Sequence, residues 1–321
     1  MIKYLGNQSQ LFGVEEMRLV GGKGDGMRLL QVRNGSGLEL TVSEDRCADI
    51  ARLSLGGVNF GYFSPCGYVS PKYYDKDGNG FLKSFTAGFL TTCGLSSVGT
   101  PCVDDGEKLP LHGTVSNTPA ENVYWEISQN DIHIHATVKD EALFSHGLVL
   151  QREYTVPIMK NELYITDTVT NTGYNDTPLQ MLYHFNVGYP LLDENTILEI
   201  PSDSVMPRNE HAATDIENCL VMEKPQRNYE EMCYYHSIKD EAQISVFNPK
   251  IKKGFVMSYD TKALPYFTEW KMMGERDYVL GVEPGNTLPD GRDVMRKKGL
   301  LEMLKAGESK THKIKFIFTE E

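Results

Sequence analysis

The sequence lacks the two features that direct a chain into or across a membrane. It contains no run of about 18 apolar residues, the length that a membrane-spanning helix needs. Residues 1–8 do not place a charged stretch before an apolar one, so no signal peptide is expected. We therefore expect a cytoplasmic protein that has no membrane partner.

Paired cysteines and metal-ligand spacings are also missing. None of the six cysteines belongs to a CxxC pair, and in a chain of this size they indicate reduced thiols in a reducing compartment. The segment that starts at Asp75 imitates the first half of an EF-hand loop, but Thr86 stands where that loop needs a bidentate glutamate. His133 and His135 share a strand face, and no third ligand lies nearby in the sequence. The sequence therefore predicts no metal site.

Positive charge is scarce. The chain has 32 lysines and arginines against 44 aspartates and glutamates, which gives a formal net charge of −12. An acidic protein repels phosphate backbones, and no basic stripe offsets this charge. We expect no nucleic-acid partner, and the same charge disfavours a phosphorylated sugar.

Helical periodicity is almost absent, and strand patterns take its place. Apolar residues alternate with polar ones, which buries one face of a strand, over residues 38–42, 123–127, 132–138, 163–165 and 314–318. The 29 glycines and 15 prolines mark turns between such runs, and short helical turns are predicted only at 13–19 or 224–232. The pattern favours an all-β fold, a large antiparallel β-sandwich in a single domain over residues 1–321.

The first candidate for chemistry is His184. On a predicted strand, His184 and Asn186 share one face, whereas Tyr183 and Phe185 share the other. The apolar face anchors the strand in the core, so His184 and Asn186 point away from that core. A histidine exchanges protons near neutral pH, which suits a general acid. A solvated or structurally bonded histidine is the alternative.

The second candidate is Glu283, at the end of a predicted strand. Pro284 and Gly285 stop the strand directly after it, and Gly281 leaves space two residues earlier on the same face. A carboxylate at a strand end over such a gap is well placed to touch a ligand. A strand-terminal charge that faces water is the alternative.

Three further places are candidates for binding a ligand. His112 lies in a loop before Gly113, which permits close approach of another group, although the histidine could instead cap backbone carbonyls. Glu269 and Lys271 share a strand face, and they either grip sugar hydroxyls or form a surface ion pair that is worth little. Arg46 lies in a charged segment that could bind hydroxyls or form a turn into a strand.

Several short segments, taken in order, resemble the aldose 1-epimerase superfamily and a divergent branch of it most of all. The resemblance implies a large β-sandwich of the galactose mutarotase type, a supersandwich. The matching segments span residues 46–285 and are Arg46-Cys-Ala-Asp-Ile50, Gly88-Phe-Leu-Thr-Thr-Cys-Gly94, Leu111-His-Gly113, Pro119-Ala120, Tyr183-His-Phe-Asn186, Glu269-Trp-Lys271 and Val282-Glu-Pro-Gly285.

The resemblance also implies a role for each matching residue. A histidine at the place of His184 protonates the ring oxygen of the sugar, and a glutamate at the place of Glu283 removes the proton of the anomeric hydroxyl. A histidine at the place of His112 supports the substrate. The remaining substrate contacts are expected from Arg46, Asn186, Glu269 and Lys271.

The sequence departs from the superfamily in two places. The mutarotases proper carry an Asn-Arg pair shortly before the Leu-His-Gly segment, where this chain reads Phe-Leu-Thr-Thr-Cys-Gly over 89–94. Their mid-chain substrate aspartate has no clear match, and Glu269 or Lys271 stands in for it. These departures leave the acid–base pair in place and the identity of the sugar open.

We therefore expect an isomerase of the aldose 1-epimerase type that interconverts the anomers of a monosaccharide or a related small carbohydrate. Acid–base chemistry by His184 and Glu283 needs no metal, nucleotide or redox cofactor. A bell-shaped pH profile is expected, with its basic limb from His184 and its acidic limb from Glu283. A homodimer is left open as the assembly. The alternative function is a non-catalytic carbohydrate-binding protein of the same fold.

Overall fold

The computed structural model of the protein describes residues 2–320. Met1 and Glu321, the end residues of the predicted single domain, lie outside the described residues. Strands account for 50% of the chain and helices for 10%, well below the share of about a third that is usual for α-helix in globular proteins. The prediction of an all-β antiparallel sandwich is confirmed.

The strands follow one another along the chain with few helices between them. In order, the strands of the described residues are β1 Gly13–Arg18, β2 Arg28–Arg33, β3 Leu38–Ser43, β4 Asp49–Leu55, β5 Val58–Asn59, β6 Tyr62–Phe63, β7 Ala87–Gly88, β8 Leu90–Leu95, β9 Cys102–Asp104, β10 Glu107–Leu109, β11 Glu121–Ile127, β12 Asp131–Glu141, β13 Gly147–Pro157, β14 Glu162–Asn171, β15 Thr177–Pro178, β16 Gln180–Gly188, β17 Ile197–Glu199, β18 Ser204–Pro207, β19 Met232–Ser237, β20 Glu241–Asn248, β21 Lys253–Asp260, β22 Tyr266–Met273, β23 Tyr278–Gly285, β24 Met303–Leu304 and β25 Ser309–Glu320.

Two short α-helices, α1 Glu210–Ala213 and α2 Arg292–Lys297, interrupt this series. The remaining helical residues form 3-10 turns at Ile2–Tyr4, Gln8–Gln10, Gly22–Gly24, Pro71–Tyr73, Gly80–Lys83, Val115–Asn117 and Ile216–Asn218.

An eight-stranded antiparallel sheet forms one large layer. Its strand order is β11-β12-β13-β14-β25-β21-β20-β17. Along β12 every second residue is buried, so Ile132, Ile134 and Val138 face the core while His133 and His135 lie on the outer, partly exposed face. There Nδ1 of His133 lies 3.1 Å from a carboxylate oxygen of Glu153.

A six-stranded antiparallel sheet with the order β18-β19-β22-β23-β16-β8 forms the layer that carries the site. All nine residues of β16 and all eight residues of β23 are buried, so neither face of these two strands is open to bulk solvent. One face packs into the main core through side chains such as Tyr183, Phe185 and Val282. The other face lies beneath loops and forms the floor of a cavity.

A five-stranded sheet in sequential order, β1 to β5, completes the main layers. Its apolar side chains, for example Leu40 and Ile50, join the same core cluster as Phe316 of the eight-stranded sheet and Phe185 of the six-stranded sheet. The sheets therefore pack around one continuous apolar core.

Both predicted helical segments are wrong. Residues 13–18 form strand β1, which pairs with β2 from Gly13 opposite Arg33 to Arg18 opposite Arg28. Residues 224–231 form an irregular segment with a turn, and Met232 already begins β19. All six cysteines are free. Among the residues that the structure describes, no helix is long and apolar enough to cross a membrane.

Candidate active site

Strand register places His184 and Glu283 side by side. Phe185 of β16 pairs with Val282 of β23, so the neighbouring residues His184 and Glu283 lie opposite each other on the same face of the sheet. Since His184 pairs in turn with Thr91 of β8, and Glu283 with Thr268 of β22, the pair occupies the middle of a row that crosses four strands.

The two side chains are in contact and buried. Nε2 of His184 lies 3.2 Å from Oε1 of Glu283, and the side chains are 7% and 3% exposed. The two atoms are not aligned for a hydrogen bond, and within the described residues neither Oε1 of Glu283 nor Nδ1 of His184 has a hydrogen-bond partner. Both groups are therefore free to bond to a ligand.

Burial favours the neutral form of each partner. Loss of solvent, followed by the field of nearby His112, lowers the pKa of His184 to about 3. Loss of solvent, followed by the charge of Glu231, raises the pKa of Glu283 well above its usual value. Burial thus favours a neutral imidazole at His184 and a protonated carboxyl group at Glu283.

His112 reaches the same site from a loop. Its backbone has φ of +58°, and its N–H donates to the carbonyl of Gly99 at 2.9 Å. Gly113 allows this path, because a Cβ atom there would lie 2.3 Å from the carbonyl oxygen of Gly94. The ring of His112 lies 5.7 Å from that of His184, and burial, followed by the charge of Arg208, lowers the pKa of His112 to about 4.

These three residues share a cavity of about 280 Å³, just below the range of roughly 300–1,000 Å³ that is typical of small-molecule sites. The size suits a monosaccharide better than a polymer. The lining is Asn79, Phe81, Leu82, Phe85, Gly99, Thr100, Pro101, Leu111, His112, His184, Arg208, Glu231, Cys233, Thr268, Trp270, Glu283 and Pro289.

Aromatic rings surround the histidines. Trp270 and Phe85 approach the ring of His184 with centroid distances of 5.2 and 5.5 Å, and Phe81 lies 5.3 Å from His112. Such rings offer flat apolar surfaces to the C–H faces of a sugar. The indole of Trp270 is held in place, because Nε1 donates to the carboxylate of Glu231 at 2.7 Å.

Four cavity residues leave a buried polar atom without a hydrogen-bond partner in the described part of the chain. These atoms are Nδ1 of His112, Nδ1 of His184, Oγ1 of Thr268 and Oε1 of Glu283. A buried polar group without a partner costs roughly 1–3 kcal/mol. Four such groups around one cavity are available as donors and acceptors for a polar ligand.

The structure turns Glu269 and Lys271 away from this cavity. On β22 the cavity face carries Thr268 and Trp270, whereas Glu269 and Lys271 point into the protein and are 0% exposed. Oε2 of Glu269 lies 3.0 Å from Nε2 of His236, and Nζ of Lys271 donates to the carbonyl of Asn218 at 3.1 Å. Glu269 and Lys271 share a strand face, as the sequence predicts, but that face lies on the side of the sheet away from the cavity.

Arg46 and Asn186 also lie outside the lining. The guanidinium of Arg46 is buried beside Thr86 and Thr91 and donates to the carbonyl of Val69 at 3.0 Å. Asn186 sits behind His184, is 0% exposed, and donates to the backbone carbonyl of His184 at 2.8 Å. Neither side chain reaches a ligand in the cavity, so both support the strands around it.

Sequence reasoning missed Arg208, Cys233, Trp270 and Thr268 as cavity residues. Trp270 and Thr268 could have been found from the pattern of β22. Phe267 is apolar and is expected to face the core, so Thr268 and Trp270 fall on the opposite face. Arg208 follows β18 in an irregular segment, and no local pattern identifies it. Its position depends on the pairing of β18 with β19.

Gly281 shapes the space around the carboxylate. A Cβ atom at Gly281 would lie 2.2 Å from Oε1 of Glu283 and 2.9 Å from Cβ of Trp270. The gap that the sequence predicts beside Glu283 is therefore filled by the Glu283 side chain itself.

Gly281→Ala is expected to displace this carboxylate and to lower kcat of the reaction at this site by about 10²-fold, since a shift of 1 Å in a reacting group has that effect. Steady-state kinetics checks this. In a Glu283→Gln background the same change should add little, because the carboxylate is already gone. A full additional loss there would contradict the steric account.

No group of three or more His, Cys, Asp and Glu side chains that could hold a metal ion occurs within residues 2–320. The EF-hand-like segment forms an ordinary turn, in which Asp75 bonds to Lys83 at 2.7 Å and accepts from the N–H of Asp77.

Comparison with known proteins agrees with this architecture. A family model described as "Domain of unknown function (DUF4432)" matches residues 24–317. No curated protein matches the sequence. Among solved structures, a Klebsiella pneumoniae protein described as a "putative aldose 1-epimerase" is 27% identical, with a TM-score of 0.91 over 97% of this chain and 84% of that one.

Two further structures are similar in fold. A galactose mutarotase-like protein from Clostridium acetobutylicum is 14% identical with a TM-score of 0.70, and galactose 1-epimerase from Lactobacillus acidophilus NCFM is 13% identical with a TM-score of 0.64. Each match covers 97% of this chain and 100% of the other. The galactose mutarotase-like fold that the sequence segments indicate is confirmed.

Proposed function

The chain belongs to the family described as Domain of unknown function (DUF4432). From its similarity to the Klebsiella pneumoniae protein and from the geometry of the site, we propose that it is a sugar isomerase of the aldose 1-epimerase type. In this proposal it interconverts the α and β anomers of a free aldose. His184 and Glu283 supply the proton transfers, and the cavity holds one monosaccharide.

The observation that carries the proposal is the contact between Nε2 of His184 and Oε1 of Glu283, 3.2 Å apart on the floor of a cavity, where Oε1 has no hydrogen-bond partner among the described residues. The anomeric hydroxyl oxygen and the ring oxygen are bonded to the same carbon, so an acid and a base that address them must lie close together. A cross-strand pair satisfies this requirement.

The proposed reaction begins with ring opening. The Glu283 carboxylate takes the proton of the anomeric hydroxyl, and the O–H electrons form the C1 carbonyl. The bond between C1 and the ring oxygen breaks, its electron pair goes to that oxygen, and the His184 imidazolium donates a proton there. An open-chain aldehyde is left beside a carboxylic acid and a neutral imidazole.

Ring closure reverses these transfers after rotation about the C1–C2 bond. Neutral His184 takes the hydroxyl proton, the hydroxyl oxygen attacks the other face of C1, and protonated Glu283 donates to the former carbonyl oxygen. The new anomer forms, and the carboxylate and imidazolium are restored. No external proton donor, metal or redox cofactor enters this balance.

The resting site holds the right number of protons for this cycle. In this proposal Glu283 starts with one proton and His184 as neutral imidazole, the forms that burial favours, and transfer of that proton to His184 when the substrate binds creates the reactive carboxylate and imidazolium. Oxygens of the substrate can then bond to both charged groups, which offsets part of the cost of charging them in a buried site.

The surrounding residues support binding in this proposal. His112 stays neutral at physiological pH, because its pKa is about 4, and therefore serves as a hydrogen-bond partner rather than as an acid. Oγ1 of Thr268 offers a further partner. The rings of Phe81, Phe85 and Trp270 would contact the apolar face of the sugar.

A panel of aldoses, followed by saturation-transfer NMR between the anomer signals, tests this function. We expect at least one aldose whose anomers exchange faster than the uncatalysed rate in proportion to enzyme concentration. If sugars bind, as seen by line broadening, but their anomers exchange at the uncatalysed rate across the panel, the protein is a carbohydrate-binding module and the proposal fails.

A further inference from the structure

Arg208 brings a positive charge into the cavity. Strand β18 pairs with β19 so that Pro207 lies opposite Tyr234, and the N–H of Arg208 donates to the carbonyl of Cys233 at 3.0 Å. This continues the ladder by one residue and sets Arg208 beside Cys233, which in turn pairs with Trp270. Arg208 therefore lies at the edge of the sheet in the row of Cys233, Trp270 and Gly281, next to the row that holds Glu283.

Neutral groups hold the guanidinium in place. Nη2 of Arg208 donates to Oγ1 of Thr100 at 2.9 Å and to the carbonyl of Pro289 at 3.3 Å. Among the described residues Nη1 has one polar contact, to Sγ of Cys233 at 3.9 Å, and burial raises the pKa of that thiol to about 12, so it is uncharged. These contacts fix the position of the guanidinium without neutralising it.

No carboxylate within the described residues forms a hydrogen bond to Arg208. Oδ1 of Asp290 is 3.8 Å from Nε, too far for such a bond. The two oxygens of Asp290 already accept from the hydroxyl of Tyr235 and from Nζ of Lys298. Glu231, the other carboxylate near the cavity mouth, accepts from the indole of Trp270.

A guanidinium has five N–H donors, and two oxygen contacts leave most of those of Arg208 unused. Within the described residues Nη1 and Nε donate to no oxygen, and each can donate a charge-assisted hydrogen bond to a carboxylate. We propose that the substrate is an acidic aldose, a hexuronate-type sugar whose carboxylate binds Arg208 while its anomeric carbon lies over His184 and Glu283. This inference rests on the proposed isomerase function and names its substrate class.

Charge and size both favour a carboxylate here. Arg208 lines the cavity as a cation, and the carboxylate of Asp290 lies 3.8 Å from its Nε without a hydrogen bond, so the guanidinium can still donate to an anionic group of the ligand. A carboxylate brings one charge and little bulk, which suits about 280 Å³. A phosphate is larger and carries more charge, against a protein of net charge −12.

The test compares matched sugars on the full-length protein. Saturation-transfer NMR gives kcat/KM for anomer exchange of glucuronate, glucose, galacturonate, galactose and glucose 6-phosphate. We expect a hexuronate to exceed its parent hexose by about 10- to 100-fold, the range of a hydrogen bond to a charged group. The KM of the hexuronate should rise between about 10 mM and 1 M salt, because the screening length falls from roughly 30 Å to roughly 3 Å. The KM of the hexose should stay nearly constant over the same range.

Arg208→Gln should then lower the ratio of kcat/KM for hexuronate over hexose by about tenfold or more, and Arg208→Lys should recover part of it. Arg227→Gln is the matched control, because Arg227 is 85% exposed, pairs with Glu275 and does not line the cavity. It removes the same charge and should leave the ratio unchanged.

Each result has a distinct meaning. Preference for neutral hexoses, or an equal effect of Arg208→Gln on both sugars, would overturn the acidic-aldose assignment and leave the isomerase function intact. Preference for glucose 6-phosphate over every uronate would also overturn the carboxylate assignment. If no sugar of the panel exchanges, the isomerase function itself fails.

Discussion

Replacing Glu283 by glutamine is expected to lower kcat for anomer exchange by about 10²–10⁴-fold, the contribution that a positioned general acid or base makes. Glutamine keeps the size of the side chain and its place opposite Thr268 and His184. Its amide cannot accept the proton of the anomeric hydroxyl, so ring opening loses its base. The anomer-exchange rate by saturation-transfer NMR measures this loss, and thermal unfolding shows whether the fold is kept.

A loss of the same order is expected from His184→Asn, because the ring oxygen then has no proton donor. In the double variant the two losses should be less than additive, since both groups act in one proton-transfer cycle. Sugar binding should persist in all three variants, because neither change removes His112, Thr268 or the aromatic walls. Fully additive losses would contradict a joint role of the pair.

Glu269→Gln supplies the matched control for the carboxylate. Glu269 is as deeply buried as Glu283, but it lies on the other face of β22 and contacts His236 instead of the cavity. Glu269→Gln should lower the unfolding temperature and should change the anomer-exchange rate little. If exchange survives in Glu283→Gln and disappears in folded Glu269→Gln, the base has been assigned to the wrong glutamate.

The alternation of apolar and polar residues predicts the strands and their layers well. It does not predict which face of each strand lies toward the cavity. Ile132–Val138 and Ile314–Phe318 alternate, and the structure buries their apolar sets as expected. Alternation is informative there because one face of each strand is partly exposed. At 13–18 the edge pairing with β2 decides the structure, and the sequence pattern suggested a helix instead.

The site lies on strands whose two faces are both buried, and this limits what the sequence can say. His184 and Glu283 could be found because their strands carry apolar neighbours on the opposite face. The predicted stop of the strand directly after Glu283 is wrong, because β23 continues through Pro284 to Gly285. Glu269 and Lys271 mislead, because charged residues are seldom buried, yet here they are 0% exposed while Trp270 faces the ligand cavity. Arg208 reaches the cavity only through the pairing of β18 with β19, which no local sequence pattern predicts.

The pH dependence of the reaction follows from the proton that the buried pair shares. The pair is active with one proton, as carboxylate and imidazolium. With unperturbed groups, Glu283 would set the acidic limb and His184 the basic limb, near its ordinary pKa of 6.5. In this cavity the order is reversed, because burial lowers the pKa of His184 to about 3 and raises that of Glu283 well above its usual range.

The sign of each limb can be worked out from these shifts. Below the lowered pKa of His184 both groups are protonated, and no base remains to open the ring. Above the raised pKa of Glu283 neither group holds a proton, and no acid remains. Between the two values the fraction of the active ion pair stays constant, because it differs from the resting form only in which partner holds the same proton.

A plot of kcat/KM against pH, which reports the free enzyme, should therefore begin to fall on the acidic side only near pH 4, where His112 also gains a proton, and its basic limb should belong to Glu283 and not to His184. The residual activity of His184→Asn should lack the part of the acidic limb that comes from His184. The residual activity of Glu283→Gln should lack the basic limb. An unperturbed histidine acting as the acid predicts instead a fall of about tenfold per pH unit above pH 6.5. If the wild type shows this fall and His184→Asn abolishes it, the imidazole is not desolvated. That result would contradict the buried contact between His184 and Glu283.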